Sequence, residues 1–269
     1  MHSFEYCPVC NSKSIEKLQN KLSRCKTCSL QFLTNFETPE YYNQIYNKNY
    51  FNGDVYKNYL KEEEYRRKLF KSKIELIKKY IPAEGSVLDV GCGMGFFLME
   101  MKKRGYHVDG LEISEYAAGI ASEKVDTRIK SGDLADISFK LKQFNIVTFW
   151  DVLEHIYDPV ESLKRVLRII KNDGVLVIET LNTSSLTARL LKEKWPLYYP
   201  PYHIYYYNQS SMSRLLENTG FRIVKTFPVQ TYIKSSSGYR ALRYFRYPVI
   251  RDLVGLFFDD VMIYVVRPV

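Results

Sequence analysis

The chain has 269 residues, of which 46% are hydrophobic and 26% charged, with a formal net charge of +9. This is ordinary globular composition, which excludes a wholly disordered, collagen-like or fibrous chain, and the length suits one large domain or a domain with a small companion. No apolar run reaches the ~18 residues of a membrane span, and Met1 to Glu5 show no basic-then-apolar leader, so a soluble cytoplasmic protein is expected.

The positive charge sits in the flanks. Residues 1–80 and 191–269 each carry a net +6, and residues 81–190 a net −3. Basic flanks suit an anionic partner: a phosphorylated or nucleotide-linked small molecule, RNA, or an acidic membrane surface. A merely solvated basic surface explains them as well. The 23 tyrosines offer stacking faces and hydroxyl donors.

The first element is a cysteine module. Cys7-Pro8-Val9-Cys10 and Cys25-Lys26-Thr27-Cys28 are two C-x-x-C pairs with 14 residues between them. Each pair can turn back on itself, and two such turns complete a tetrahedral four-sulfur site. Ser23-Arg24 and Leu30-Gln31-Phe32-Leu33 read as short strands around the second pair. The expectation is a zinc-ribbon-like module over 1–36 with structural zinc. A rubredoxin-type iron has the same ligands. With four ligands no coordination position stays open for catalysis.

Residues 37–80 form a helical connector in pattern, rich in tyrosine (Tyr41, Tyr42, Tyr46, Tyr50, Tyr56, Tyr59, Tyr65). Glu62 to Lys79 has one charged face and an apolar stripe of Leu69, Ile74, Ile77 and Tyr80. Pro82 and Gly85 stop it. Its helices either cover the following domain or bring tyrosines over a ligand.

Ser86 to Val90 is then a short β-branched strand. Gly91-Cys92-Gly93-Met94-Gly95 follows, and Phe96 to Arg104 has helical spacing. Val108 to Leu111 is a second strand that closes with Glu112. This is one β-α-β unit with a right-handed crossover. Glycines let backbone approach a ligand closely, and an acid at the end of the second strand can accept both ribose hydroxyls. The pattern is G-x-G-x-G, with Phe96 where a dinucleotide fingerprint has its third glycine. Asp89 would face a pyrophosphate with like charge. Both features argue against a nicotinamide dinucleotide and suit a ligand with an adenosine and a cationic amino-acid end.

Val87 to Gly95 closely resembles motif I of class I S-adenosylmethionine-dependent methyltransferases. The likeness continues in order through Gly110-Leu111-Glu112-Ile113-Ser114, Ser131-Gly132-Asp133-Leu134 and Phe144 to His155. Leu163 to Ile178, His203 to Phe221 and Val261 to Val266 extend it. The resemblance covers about 80–269 and implies a Rossmann-like doubly wound α/β sheet of seven strands, with the catalytic domain over 81–269. It assigns the methionine portion to Asp89 and the Gly91–Gly95 turn (Gly91, Cys92, Gly93, Gly95), the ribose to Glu112 beside Ile113, and the adenine to Asp133 and Leu134. Trp150 and Asp151 would line the pocket near the sulfonium, with Cys92 as small packing. The cysteine module resembles the zinc-binding segment preceding some sugar methyltransferases, which commonly carry a further C-terminal domain; this chain ends sooner.

His155 is the base candidate for a hydroxyl acceptor, because imidazole titrates near neutrality. Asp151-x-x-Glu154-His155 also resembles the E-x-x-E-H of some magnesium-using O-methyltransferases, but with Asp a methylene shorter in first place, so magnesium is only a secondary cofactor expectation. The Pro- and Tyr-rich segment Trp195 to Tyr202 follows the fifth strand and is expected to roof the acceptor, with His203 in the pocket. Arg240, Arg243 and Arg246 recur at three-residue spacing and either grip phosphate or face solvent. The expected function is methyl transfer, with O-methylation favoured, to an anionic small molecule such as a sugar or nucleotide-linked sugar of cell-envelope glycan synthesis. An RNA methyltransferase and a non-catalytic ligand-binding scaffold are the alternatives.

Overall fold

The computed structural model describes residues 2–19, 21–229 and 259–269. Arg240, Arg243 and Arg246 lie outside these residues. Among the described residues no helix is long and apolar enough to cross a membrane.

The chain opens with β1 (His2–Ser3), β2 (Ile15–Lys17), β3 (Leu22–Cys25), β4 (Gln31–Leu33) and β5 (Asn35–Phe36). β2, β3 and β4 form an antiparallel meander, and β1 pairs with β5. Phe4 stacks on Phe36 at 4.3 Å and meets Phe32 edge-on, an aromatic core for a module too small to build one from aliphatics.

The connector is helical only in pieces. Helix α1 (Pro39–Ile45) starts at Thr38, whose hydroxyl accepts from the Tyr41 amide. A short irregular turn over Tyr50–Asp54 breaks at Asn52 and Gly53. Helix α2 (Glu63–Ile77) then runs to the sheet. Ile74 and Ile77 of its apolar stripe are buried, and Arg67 reaches the buried carboxylate of Glu100 at 2.7 Å. The helical pattern of the connector is broken at Asn52 and Gly53, where Phe51 is buried.

The main sheet is assembled from β6 (Ser86–Val90), β7 (His107–Glu112), β8 (Lys130–Ser131) and β9 (Phe144–Trp150), followed by β10 (Ile170–Leu181), β12 (Phe221–Val229) and β13 (Val261–Pro268). Its order is β12-β13-β10-β9-β6-β7-β8. β8, β7, β6, β9 and β10 run parallel, and β13 lies antiparallel between β10 and β12. The near-continuous apolar runs of β6, β9 and β10 fit strands buried on both faces. Helices α3 (Phe96–Lys102), α4 (Glu115–Val125), α5 (Pro159–Ile169) and α7 (Gln209–Asn218) cover the sheet. Helix α5 shows why the sequence folds this way: Asp158 caps it by accepting from the Glu161 amide, Pro159 opens it, and Leu163, Val166 and Ile169 bury one face. The doubly wound seven-stranded sheet expected from the sequence is therefore present.

Two contacts fix the segment after β10, and the first of them joins the cysteine module to the main domain. The two-residue strand β11 (Tyr205–Tyr206), which follows β10 and α6 (Leu186–Leu191), pairs with β4 and completes a four-stranded sheet of the cysteine module. Asp260, just before β13, receives three donors at one oxygen: Ser185 Oγ and Thr187 Oγ1 at 2.5 Å each and Trp195 Nε1 at 2.9 Å. This buried carboxylate ties the segment after β10 to the start of β13. Asp260→Ala leaves all three donors without an acceptor, and is expected to cost roughly 2–4 kcal/mol, read as a lower denaturant midpoint.

Candidate active site

A cavity of about 310 Å³ opens at the carboxyl ends of β6, β7, β9 and β10, where ligands bind in open α/β sheets. On one side lies the glycine turn. Gly93 has φ +54°, and a Cβ there would meet only the Tyr59 hydroxyl, at 3.4 Å. Its bare backbone therefore faces the cavity. Gly95 is different: at φ +78° a Cβ would collide with Val125 at 2.6 Å, so this glycine serves the packing of α3 on α4. Glu112 ends β7 with one carboxylate oxygen accepting from the Gly93 amide at 2.8 Å and the other from the Ser114 amide at 2.9 Å. Burial raises its pKa above the usual range.

Gly91, Gly93, Glu112, Ile113, Asp133, Leu134, Trp150, Asp151 and His155 all line this cavity. Asp89, Cys92, Gly95 and His203 are not among its lining residues. Asp89 is buried beneath the turn, accepts from Thr148 Oγ1 at 2.6 Å, and is pushed by burial up to about 8. It braces the turn from inside the sheet. Cys92 is buried beside it.

The other side is built by the exit of β9. His155 Nδ1 lies 2.8 Å from the Tyr202 carbonyl and 3.0 Å from the Tyr46 hydroxyl. A carbonyl oxygen only accepts, so Nδ1 carries the hydrogen and Nε2 keeps its lone pair. His203 repeats the arrangement, with Nδ1 2.9 Å from the Leu197 carbonyl. The two rings meet edge-on at 4.7 Å, His203 standing behind His155. Burial lowers both imidazoles, His203 to about 3 with help from His155. Buried Glu154 accepts from Thr180 Oγ1 at 2.8 Å and is pushed by burial to about 8. One ligand atom from each of Glu154, His155 and His203 lies within 4.8 Å of the others. Asp151 is not in that group.

The roof also differs from expectation. Trp195 is buried against Asp260, and the Tyr198 hydroxyl donates to Gln31 Oε1 at 2.6 Å, so the start of the Trp195–Tyr202 segment faces the cysteine module, while Tyr202 at its end packs behind Tyr46 and Tyr50. None of its residues lines the cavity. The roof is the connector: Tyr46, Tyr50, Phe51, Tyr56, Tyr59 and Phe70. Arg66 stacks on Tyr59 at 3.9 Å, and Lys73 donates to Glu179 Oε1 at 2.5 Å. These last three charged wall residues, Arg66, Lys73 and Glu179, escape sequence reasoning. The available signal was Glu179 itself, a carboxylate inside the apolar run Val175 to Leu181. Burial raises Glu179 to about 8 despite Lys73, and Lys73 stays protonated because Glu179 and Asp151 outweigh its own burial. Glu179 Oε2 and Trp150 Nε1 find no hydrogen-bond partner among the described residues.

At the far end of the module the four cysteine sulfurs converge within 4.8 Å, with Cys7–Cys28 and Cys10–Cys25 each at 3.5 Å. Both turns are built alike. The Asn11 amide bonds the Cys7 carbonyl and the Ser29 amide the Cys25 carbonyl, each at 2.9 Å, with Asn11 and Ser29 left-handed. The spacing is that of a tetrahedral four-thiolate site, whose sulfurs sit about 3.8 Å apart for a metal–sulfur bond of ~2.3 Å.

A family model described as "Methyltransferase domain" matches residues 62–226. The chain belongs to this methyltransferase-domain family. Among curated relatives it is 29% identical over 116 residues to a ubiquinone biosynthesis O-methyltransferase of Coxiella burnetii (strain Dugway 5J108-111), covering 41% of this chain and 50% of that protein. It is 34% identical over 103 residues to the protein of that name from Azoarcus sp. (strain BH72), covering 36% and 44%. The chain thus spans about half the length of these relatives. In fold it is similar to a SAM-dependent methyltransferase from Archaeoglobus fulgidus, with a TM-score of 0.56 at 23% identity over 78% of this chain and 98% of that one.

In this methyltransferase domain the Lys73–Glu179 pair is 15% and 2% exposed. Lys73→Met leaves Glu179 buried without its cation; because the carboxyl can stay protonated, the expected loss is small at acid pH and grows as pH rises through the folded value of about 8. A carboxyl whose folded pKa is raised favours folding most below its unfolded value, and that contribution is lost as pH rises through the folded value. The variant's deficit in melting temperature should therefore be larger at pH 8 than at pH 5.

Proposed function

We propose that the protein is an S-adenosylmethionine-dependent O-methyltransferase acting on a small-molecule hydroxyl. The observation that carries the reading is the convergence of a bare glycine turn, a strand-end carboxylate and a histidine with a free Nε2 lone pair on one cavity. The charge of the walls fits the donor: four carboxyls (Glu112, Asp133, Asp151, Glu179) against two cations (Arg66, Lys73), the balance a sulfonium favours. Glu112, Ile113, Asp133 and Leu134 would hold the nucleoside, the Gly91–Gly93 backbone and Arg66 the amino-acid end. The bound donor supplies an already activated methyl group. The chain's own work is then alignment and water exclusion, by the tyrosine roof, and proton removal. His155 Nε2 takes the acceptor hydroxyl proton, while the Tyr202 carbonyl holds the ring by Nδ1–H.

The O-methyltransferase names of the relatives support transfer to oxygen. The narrower expectation of a cell-envelope sugar draws no support from relatives named for ubiquinone biosynthesis. The aromatic roof and the acidic walls favour a compact acceptor over RNA. Structural zinc on Cys7, Cys10, Cys25 and Cys28 is part of the same reading, supported by the matched pair of turns.

Glu112→Ala should weaken S-adenosylmethionine binding by roughly 1–3 kcal/mol in calorimetry, and Gly93→Val should abolish it. His155→Gln should lower turnover ~10²–10⁴-fold with donor affinity nearly unchanged. Binding of a nicotinamide dinucleotide in place of S-adenosylmethionine would overturn the assignment. For the module, elemental analysis is expected to give about one zinc on the four cysteines. Cys25→Ser should lose that metal and destabilise the fold far more than Cys92→Ser. A protein without it, or with a disulfide among the four, would reject the zinc reading.

A further inference from the structure

Glu154, His155 and His203 carry more organisation than methyl transfer requires. Each imidazole donates its Nδ1 hydrogen to a backbone carbonyl, of Tyr202 and Leu197 respectively. That leaves both Nε2 atoms as lone-pair donors. The Glu154 carboxylate is oriented through one oxygen by Thr180 Oγ1. Histidines tied at one nitrogen and a carboxylate held by a hydroxyl are the outer supports that metal ligands ordinarily have. The three residues come from two places only, the turn after β9 and the segment before β11. These are locked together because the Ile204 and Tyr205 amides both donate to the Glu154 carbonyl, at 2.9 and 3.2 Å.

The geometry points to a second metal site: we propose that Glu154, His155 and His203 bind one zinc ion, independently of the four cysteines. The ligand set differs from the acid-rich one that the D-x-x-E-H spacing suggests. Asp151 leaves β9 in a left-handed conformation (φ 54°) and stands outside the group, while His203, 52 residues further along the chain, stands inside it. Two imidazoles and one carboxylate suit zinc and its first-row neighbours, whereas magnesium takes oxygen ligands. Ligand atoms now within 4.8 Å need to draw together by about 1.5 Å at most to reach bonds of ~2.0–2.1 Å. Three protein ligands leave a fourth position open, and His155 places it at the cavity wall. An ion there supplies a Lewis acid for an acceptor oxygen. The base role of His155 belongs to the metal-free protein; with the site filled its Nε2 is a ligand, and the ion would take over polarising the acceptor oxygen.

The test titrates the protein, with its cysteine site already loaded with zinc, with cobalt(II) alone. One further equivalent per chain is expected, with weak visible bands and without sulfur-to-metal charge transfer. His203→Gln and His155→Gln should each bind cobalt at least tenfold more weakly, while His107→Gln, an exposed histidine on β7, matches wild type. Each variant is checked for a cooperative melt, and if His203→Gln lacks one, His155→Gln decides. Absence of a further equivalent, a sulfur charge-transfer band, unweakened binding in the deciding variant, or displacement by equimolar magnesium overturns the site. No methyl donor enters the titration, so its failure leaves the methyltransferase reading standing, and loss of S-adenosylmethionine binding leaves the metal site standing.

Discussion

The carbonyl of Glu154 is the joint on which the active half of the molecule depends. It accepts two amides, from Ile204 and Tyr205, and so fastens the exit of β9 to the strand that completes the cysteine module's sheet. A backbone oxygen buried at a sheet edge must find donors or lose stability. Here the donors come from a segment some 50 residues away, which brings His203 behind His155 and the Tyr202 carbonyl under its ring. The orientation of the pocket histidine is thus set by main-chain bonding rather than by neighbouring side-chain charge.

Around that joint the cavity separates two kinds of physics. Its floor is polar and acidic, made from strand ends and the glycine turn. Its roof is aromatic and comes from the connector, where Tyr59 lies parallel to Phe96 at 5.6 Å and Tyr46 meets Tyr50 at 5.0 Å, with Tyr202 packed against both from outside the cavity lining. Water is poorly accommodated between rings, so charges on the floor interact through a medium of lower polarity. Burial is why Asp89, Glu154 and Glu179 all move toward neutrality, while Lys73 keeps its proton because Glu179 and Asp151 outweigh its own burial.

Much of this could be read from the residues. The glycine turn between two β-branched runs, the acid at the end of the second strand, and the paired C-x-x-C spacings are local patterns, and local patterns survive in sequence. What could not be read was non-local. β11 is two residues long, too short to show alternation, and its partner lies in the first 36 residues. Arg66 and Lys73 sit on what looks like the solvent face of a charged helix; only packing reveals that this face closes a cavity. The Trp195–Tyr202 segment was expected over the acceptor by chain order alone, but the buried Trp195–Asp260 bond turns it the other way. Asp89 matches its motif in position, yet its carboxylate points into the sheet because Thr148 offers the nearer donor.

The pairing of β11 with β4 has a consequence for how the chain can be divided. Tyr205 and Tyr206 are fully buried, and part of their cover is the module. Cutting the chain after residue 36 would strip an edge strand of its partner and bare two aromatic rings. The amino-terminal segment and the internal Tyr205–Tyr206 edge are therefore a single heritable unit: recombination that swaps the first has to carry a compatible second with it.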